Sequence, residues 1–300
     1  MDAAPRWLAY GAMLLVVGAS VFRFGILAPL ARGGEPVPPA TSRRAATLGA
    51  GAAVALILLA GLRLLMQARS FSEPGESITL ELLGTVIGTG WGRGWVAQVL
   101  AAGLAAAGAF FARVAPAGWL SAAAGASAVV LAAPLTGHAS GAERAGSWGY
   151  PLDALHVLGA GAWIGTLMVL LLTGLIPSRT EPAEARGRTV ARLTHAFHPV
   201  ALVGASVTVL AGTLLSWRFL EGSLSGLWTS GWGRTLLLKL VLLSGVAGFG
   251  AWNWRVVRPT LGSAEAARKL TRSALFELAI ATALLAATAV LVARPLPGED

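Results

Sequence analysis

The sequence has 300 residues, of which 55% are hydrophobic and 12% are charged, with a formal net charge of +9. A soluble domain carries about 25% charged residues, and the mean hydropathy of +0.69 leaves no room for a large aqueous domain. The basic residues stand in short segments beside apolar stretches, without interleaved aromatic residues, which argues against a nucleic-acid-binding protein. The absence of Cys excludes disulfides and thiolate metal ligands.

Eight long apolar stretches, almost free of charge, follow one another along the chain. They cover residues 7–22, 48–62, 95–111, 119–135, 155–176, 199–215, 235–252 and 275–292. With its interfacial ends, each reaches about the 20 residues that a helix needs to cross a bilayer. The sequence therefore predicts an all-α, polytopic membrane helix bundle with about eight transmembrane helices. We expect one integral membrane domain over 1–300, with three spans and an outer linker in 1–116 and five spans in 117–300.

The distribution of Lys and Arg predicts the orientation. The segments after spans 1, 3, 5 and 7 hold 13 of these residues, and the segments on the other side hold 7. The positive-inside rule then places both termini outside, in the periplasm. The first apolar stretch exceeds the usual length of a signal-peptide core, so we expect a retained first helix rather than a cleaved leader.

The linker between spans 2 and 3 contains an apolar stretch, 78–87, that is too short to span a membrane. We expect an interfacial or re-entrant helix there. Three acidic residues precede or begin this stretch and are candidates for raising the local cation concentration: Glu73, Glu76 and Glu81. The linker ends in the residues 89–93, Thr-Gly-Trp-Gly-Arg, which resemble Ser-Gly-Trp-Gly-Arg at 230–234 before span 7. The resemblance predicts a shared way of entering the membrane.

Two histidines are predicted to lie at a similar membrane depth on the outer side. His138 ends span 4 and His156 begins span 5, with Asp153 three residues earlier on the same helical face. Two imidazoles and a carboxylate would suit Cu(II) or Zn(II). The two rings would also suit haem as axial ligands, and both histidines could instead hydrogen-bond loop carbonyls. Met13 and Met66, in the outer halves of their spans, either complete this site or simply pack.

The other two histidines, His195 and His198, are spaced i, i+3 at the predicted inner start of span 6. This spacing allows a two-point metal ligand. Pro199 suits the first turn of a helix, so we expect His198 in the cap region. A solvated or pH-sensitive helix end is the alternative.

Polar residues inside spans usually face the bundle or a water-filled cavity. Three positions stand out here as transport or structural groups: Lys239, Asn253 and Glu277. Snorkelling to the outer interface is the alternative for Lys239. For Glu277 a structural ion pair with Arg255 or Arg272 is the simplest interpretation.

In these segments the chain resembles the CopD (PcoD-like) copper-resistance membrane proteins. The resemblance is strongest in 117–300, and it rests on Thr-Gly-His-Ala at 136–139, Leu-Asp-Ala-Leu-His-Val-Leu at 152–158, Ala-Trp-Ile-Gly at 162–165, and Gly-Arg-Thr-Leu-Leu-Leu-Lys-Leu at 233–240 followed by Asn253. It implies copper movement across the bacterial inner (plasma) membrane, beside a periplasmic CopC-like copper carrier. It also assigns the copper site first to His138 and His156, with Lys239 as a structural or gating element. Gln98 departs from the basic residue expected in span 3.

The resulting expectation is a copper transporter that contributes to copper homeostasis and resistance, with copper as its substrate and the lipid bilayer as its surroundings. Two alternatives remain: a haem-binding membrane electron-transfer protein, and a non-transporting accessory partner that delivers copper to another protein. No Walker, Gly-x-Ser-x-Gly or His-Glu-x-x-His motif is present, so we do not expect an enzyme.

Overall fold

The computed structural model describes residues 3–35, 38–73, 75–137 and 143–298, apart from the side chains of 143–145 and 258. Within these residues, eight helices are long and apolar enough to cross a membrane, which confirms the predicted bundle. In chain order they are α1 (Ala3–Arg32), α2 (Pro39–Arg69), α3 (Gly90–Phe111), α4 (Gly118–Thr136), α5 (Gly146–Thr180), α6 (Ala183–Phe219), α7 (Gly231–Val257) and α8 (Ala264–Val292).

Helices α1 and α5 form the centre of the bundle. Buried residues make up 56% of the most apolar part of α1 and 61% of that of α5, but only 17% of those of α6 and α7. The first helix packs against α2, α4, α5 and α8. Arg6 Nη1 donates to the carbonyl oxygen of Val292 at 3.1 Å, so the two ends of the described chain lie together. We call this end of the bundle the terminal end and the other the opposite end.

Small residues allow the central helices to approach closely. A Cβ on Gly18 of α1 would overlap the backbone of Gly165 in α5, and a Cβ on Gly159 would lie 2.7 Å from the carbonyl oxygen of Gly204 in α6. Without a hydrophobic driving force between helices in lipid, such backbone contacts are a main source of association. They fix α5 between α1 and α6.

Helices α3 and α7 begin in the same way. Thr89 Oγ1 accepts from the backbone N–H of Gly92 at 3.0 Å, and Ser230 Oγ accepts from that of Gly233 at 2.9 Å. Each start follows a short helix, Leu80–Gly88 before α3 and Gly226–Thr229 before α7. A Cβ on either glycine would overlap a carbonyl oxygen of that short helix. The predicted resemblance therefore has a structural basis, and the short helix predicted in the linker is also present.

The start of α6 corrects one expectation. The helix begins at Ala183, with Pro182 at its N-cap, and Pro199 lies in its interior rather than in its first turn. The residues between them include the strong helix formers Ala, Glu and Arg, which continue the helix beyond the apolar stretch. Membrane helices tolerate an interior proline because neighbouring groups satisfy the freed backbone carbonyl. His198 is thus not a cap residue.

Several spans contain π-helical turns. They include Phe22–Leu27 in α1, Gly161–Gly165 in α5 and Asn253–Val257 in α7. Such turns often mark functional sites, because the wider turn redirects side chains and alters backbone hydrogen bonding. Here one contains the α5 face packed on α1, and another begins at the polar residue Asn253.

Candidate functional site

A cavity of about 510 Å³ lies at the terminal end of the bundle. Side chains from most of the spans line it, including residues of α1, α5, α6, α7 and α8. Its walls are mainly apolar, so the few polar groups that reach it determine what it can bind. Among the residues predicted for a site, His156, Asp153, Met13 and Lys239 line this cavity.

The His156 ring is held by α6. Its Nδ1 lies 2.9 Å from the carbonyl oxygen of Thr208. Because a carbonyl oxygen only accepts, Nδ1 must carry the proton of this hydrogen bond. The neutral ring then presents the lone pair of Nε2 for coordination. Metal-binding histidines usually donate their other ring N–H to a carbonyl or carboxylate in this way.

Glycine makes the space for this ring. A Cβ on Gly212 of α6 would lie 2.7 Å from His156 Nδ1 and 2.8 Å from Cε1. One turn earlier, Thr208 Oγ1 bonds back to the carbonyl oxygen of Gly204 at 2.7 Å. Residues 204, 208 and 212 are spaced four apart, so the face of α6 next to His156 consists of small residues.

Asp153 lies close to the end of α4. A Cβ on Gly137 would lie 3.9 Å from Asp153 Oδ2, and Gly137 itself lines the cavity. His138, the next residue along the chain, lies outside the described residues. Within the described residues, no group of three His, Asp or Glu side chains is close enough to hold a metal ion. Met13, which is 4% exposed, lines the same cavity as Asp153 and His156.

The remaining predicted ligands do not join this cavity. Met66 is partly buried on α2 but is not part of the cavity wall. His195 is exposed near the opposite end, and the ring of His198 stacks on Trp254, with centroids 5.2 Å apart and an interplanar angle of 16°. This stack covers one face of the His198 ring and joins α6 to α7.

Basic side chains share the cavity with Asp153. Arg6, which also donates to the carbonyl oxygen of Val292 in α8, lines the cavity. Arg63 lines it too, and its Nη1 donates to Gln98 Oε1 at 3.4 Å. Gln98 is the position where the CopD resemblance leads one to expect a basic residue, and here α2 supplies the guanidinium next to it. Lys239 of α7 lines the same cavity as His156 and Asp153. Lys239 therefore faces the cavity, as expected for a charge within a span.

A second polar pair lies deeper, towards the opposite end. Glu277 of α8 is 5% exposed, and its Oε2 accepts from Asn253 Nδ2 at 3.4 Å. The partner of this carboxylate is thus an amide rather than the expected arginine. On the same two helices, an apolar layer separates the pair from the cavity: Val246 and Ala281, both fully buried, and Leu284.

The sequence reasoning missed Thr208 and Gly212, because neither carries chemistry of its own. The signal that could have found them is the run Gly204, Thr208, Gly212, whose spacing of four puts small residues on one face of α6. Tyr10, which also lines the cavity, was missed because its position in α1 gives no clue to its neighbours.

Two family matches cover most of the chain. Residues 2–150 match the Copper resistance protein D-like, N-terminal domain, and residues 191–291 match Copper resistance protein D. The chain belongs to the copper resistance protein D family. This family membership confirms the resemblance stated from the sequence.

The chain is also similar to two individual copper proteins. It is 26% identical to Copper resistance protein D of Pseudomonas syringae pv. tomato over 302 residues, covering 95% of this chain and 93% of that protein. It is 29% identical to Copper transport protein CutJ of Bacillus subtilis (strain 168) over 171 residues, which are 57% of this chain and 30% of CutJ. No solved structure matches the chain. It is therefore a multi-pass membrane protein of a family concerned with copper resistance and transport.

Proposed function

We propose that this protein carries copper ions across the inner (plasma) membrane and so contributes to copper homeostasis and resistance. The observation that carries the proposal is the cavity at the terminal end, which brings His156, Asp153 and the neighbour of His138 together in a copper resistance family member. The orientation predicted from Lys and Arg makes this the periplasmic end. A periplasmic CopC-like copper carrier is then the proposed donor of the ion.

The ligands proposed for the copper ion are His156 Nε2, the Asp153 carboxylate and the imidazole of His138. The hydrogen bond from His156 Nδ1 to Thr208 supports this role, since it fixes the ring with Nε2 available. Imidazole and carboxylate ligands suit Cu(II). Met13 lies in the same cavity wall and would add a softer sulfur ligand.

The charge balance of the cavity argues against general electrostatic attraction of a cation. Among the side chains that the structure describes, three bases line it together with one carboxylate, that of Asp153; the bases are Arg6, Arg63 and Lys239. A cation is therefore not concentrated by the potential of the cavity itself. We propose that the copper ion competes with the Lys239 ammonium for Asp153, and that the Glu277–Asn253 pair offers the next oxygen atoms beyond the apolar layer.

Copper uptake into proteoliposomes tests this proposal. The substitutions His156→Ala, Asp153→Asn and His138→Ala should each lower uptake about tenfold or more, since even the partners of metal ligands matter on that scale. His195→Ala is the matched control, because this exposed histidine lies near the opposite end and should leave uptake unchanged. Elution as a single species in size-exclusion chromatography would show that each variant folds.

Other outcomes separate the alternatives. Uptake by His156→Ala equal to that of the unmodified protein would contradict the proposed site. A Soret band in the purified, unmodified protein would favour haem binding and electron transfer. If the unmodified protein shows neither uptake nor a haem spectrum, a non-transporting role in copper delivery becomes the better interpretation.

A further inference from the structure

A groove of about 400 Å³ lies between α7 and α8 towards the opposite end, away from the cavity described above. Its lining divides into two kinds of side chain. The aromatic side chains are those of Phe249 and Trp252 in α7 and Phe276 in α8. The first turns of α8 contribute the polar side chains of Glu265, Arg268, Lys269, Arg272 and Ser273. The groove therefore combines aromatic walls with a basic end.

The basic end carries an excess of positive charge. Glu265 Oε1 lies 3.1 Å from Lys269 Nζ, an i, i+4 pair that balances one of the three cations. Within the described residues, no carboxylate lies within salt-bridge distance of Arg268 or Arg272. These two arginines lie one turn apart on an exposed face of α8. Arginine is suited to phosphate, which it binds through two parallel N–H groups.

The aromatic walls are exposed in a way that suits acyl chains. Phe249, Trp252 and Phe276 are 38%, 59% and 58% exposed. Phe276 follows Arg272 by one helical turn, in the direction of the bilayer centre. α7 is one of the two least buried spans, so other helices leave much of its surface uncovered.

We propose that this groove binds an anionic phospholipid, with the phosphate on Arg268 and Arg272 and the acyl chains along Phe249, Trp252 and Phe276. The order of groups along the helices, basic at the end and aromatic towards the centre, is the order of a phospholipid from headgroup to tail. Basic pockets between membrane helices bind anionic headgroups in this manner. This lipid site does not depend on the proposed copper transport.

Native mass spectrometry of the full chain, titrated with phosphatidylglycerol or phosphatidylcholine, tests the proposal. We expect phosphatidylglycerol to bind preferentially, and Arg268→Gln/Arg272→Gln to weaken its binding on the order of tenfold or more, the scale set by two basic groups beside an anionic lipid. The matched control is Arg43→Gln/Arg44→Gln, which removes two exposed arginines from the start of α2 at the same end of the bundle. This control should bind phosphatidylglycerol like the unmodified protein.

Three results would overturn the proposal. Equal binding of the two lipids by the unmodified protein would do so whether or not the variants fold. Equal loss in the Arg43→Gln/Arg44→Gln control would show general attraction rather than a site. Inorganic phosphate that competes with phosphatidylglycerol at equal concentration would show a phosphate site that does not use the acyl chains. Weaker binding in Trp252→Ala, by contrast, would support the aromatic wall.

Discussion

At the scale of single residues, the position of His156 depends on the absence of a side chain at Gly212. The imidazole occupies the space that a Cβ would fill, and its Nδ1 reaches the Thr208 carbonyl as a result. The proposed ligand is thus oriented by two residues of a neighbouring helix. A substitution in α6 should therefore change the affinity for copper although it alters no proposed ligand.

We expect Gly212→Ala to lower copper affinity by about 10- to 100-fold, because the added methyl carbon would lie 2.7 Å from Nδ1 and displace the ring. Isothermal titration with copper would measure the change. Gly248→Ala is the control, since a Cβ at Gly248 meets nothing within 4 Å. Unchanged affinity in Gly212→Ala would mean that the bond to Thr208 does not orient a ligand.

The sequence predicted part of this residue-scale picture. Spacing within one helix puts Asp153 and His156 on the same face, and both do line one cavity. It could not predict that Met13 lines the cavity while Met66 does not, because helical periodicity gives no information on which neighbour a face meets. The stack of His198 on Trp254 could not be predicted either, because it joins two helices and leaves no signal in the local sequence.

At the scale of elements, α3 and α7 share a start that is built from a hydroxyl cap and a glycine. The cap satisfies one of the backbone N–H groups that a helix leaves free at its beginning. The glycine lets the preceding short helix lie against the new helix with backbone in contact. The similar residues at 89–93 and 230–234 allowed this shared start to be predicted, but not the short helix Gly226–Thr229 that packs against α7.

Each cap should therefore contribute to stability. We expect Thr89→Ala and Ser230→Ala each to lower the free energy of unfolding by about 1 kcal/mol. Unfolding by sodium dodecyl sulfate in mixed micelles would measure this. The control is Thr85→Ala, because Thr85 is exposed and its hydroxyl bonds back to the Glu81 carbonyl within a helix. A loss as large in the control as in the caps would remove the capping explanation.

At the scale of the whole molecule, hydropathy alone identified all eight spans, since each must present an apolar surface to lipid. Their arrangement could not be predicted. The central place of α1 and α5 follows from glycine contacts between segments that are distant in sequence, such as Gly18 with Gly165. Sidedness remains a prediction from the distribution of Lys and Arg.

Because the sequence has no Cys, single-cysteine variants can test the sidedness. We expect Ser223→Cys, exposed near the terminal end, to react with a membrane-impermeant thiol reagent in spheroplasts. Ala117→Cys, exposed at the opposite end, should react only after the membrane is permeabilised. The reverse pattern would place both termini in the cytoplasm and turn the cavity towards it.

The apolar layer of Val246, Ala281 and Leu284 separates the cavity from the Glu277–Asn253 pair. A proton that moves down a membrane potential of 100 mV releases about 2.3 kcal/mol. An unbroken file of water and polar groups across the bundle would let protons cross and so dissipate this potential. On α7 and α8, the layer interrupts such a file. A protein of this architecture can keep a cavity open at one surface without discharging the membrane that holds it.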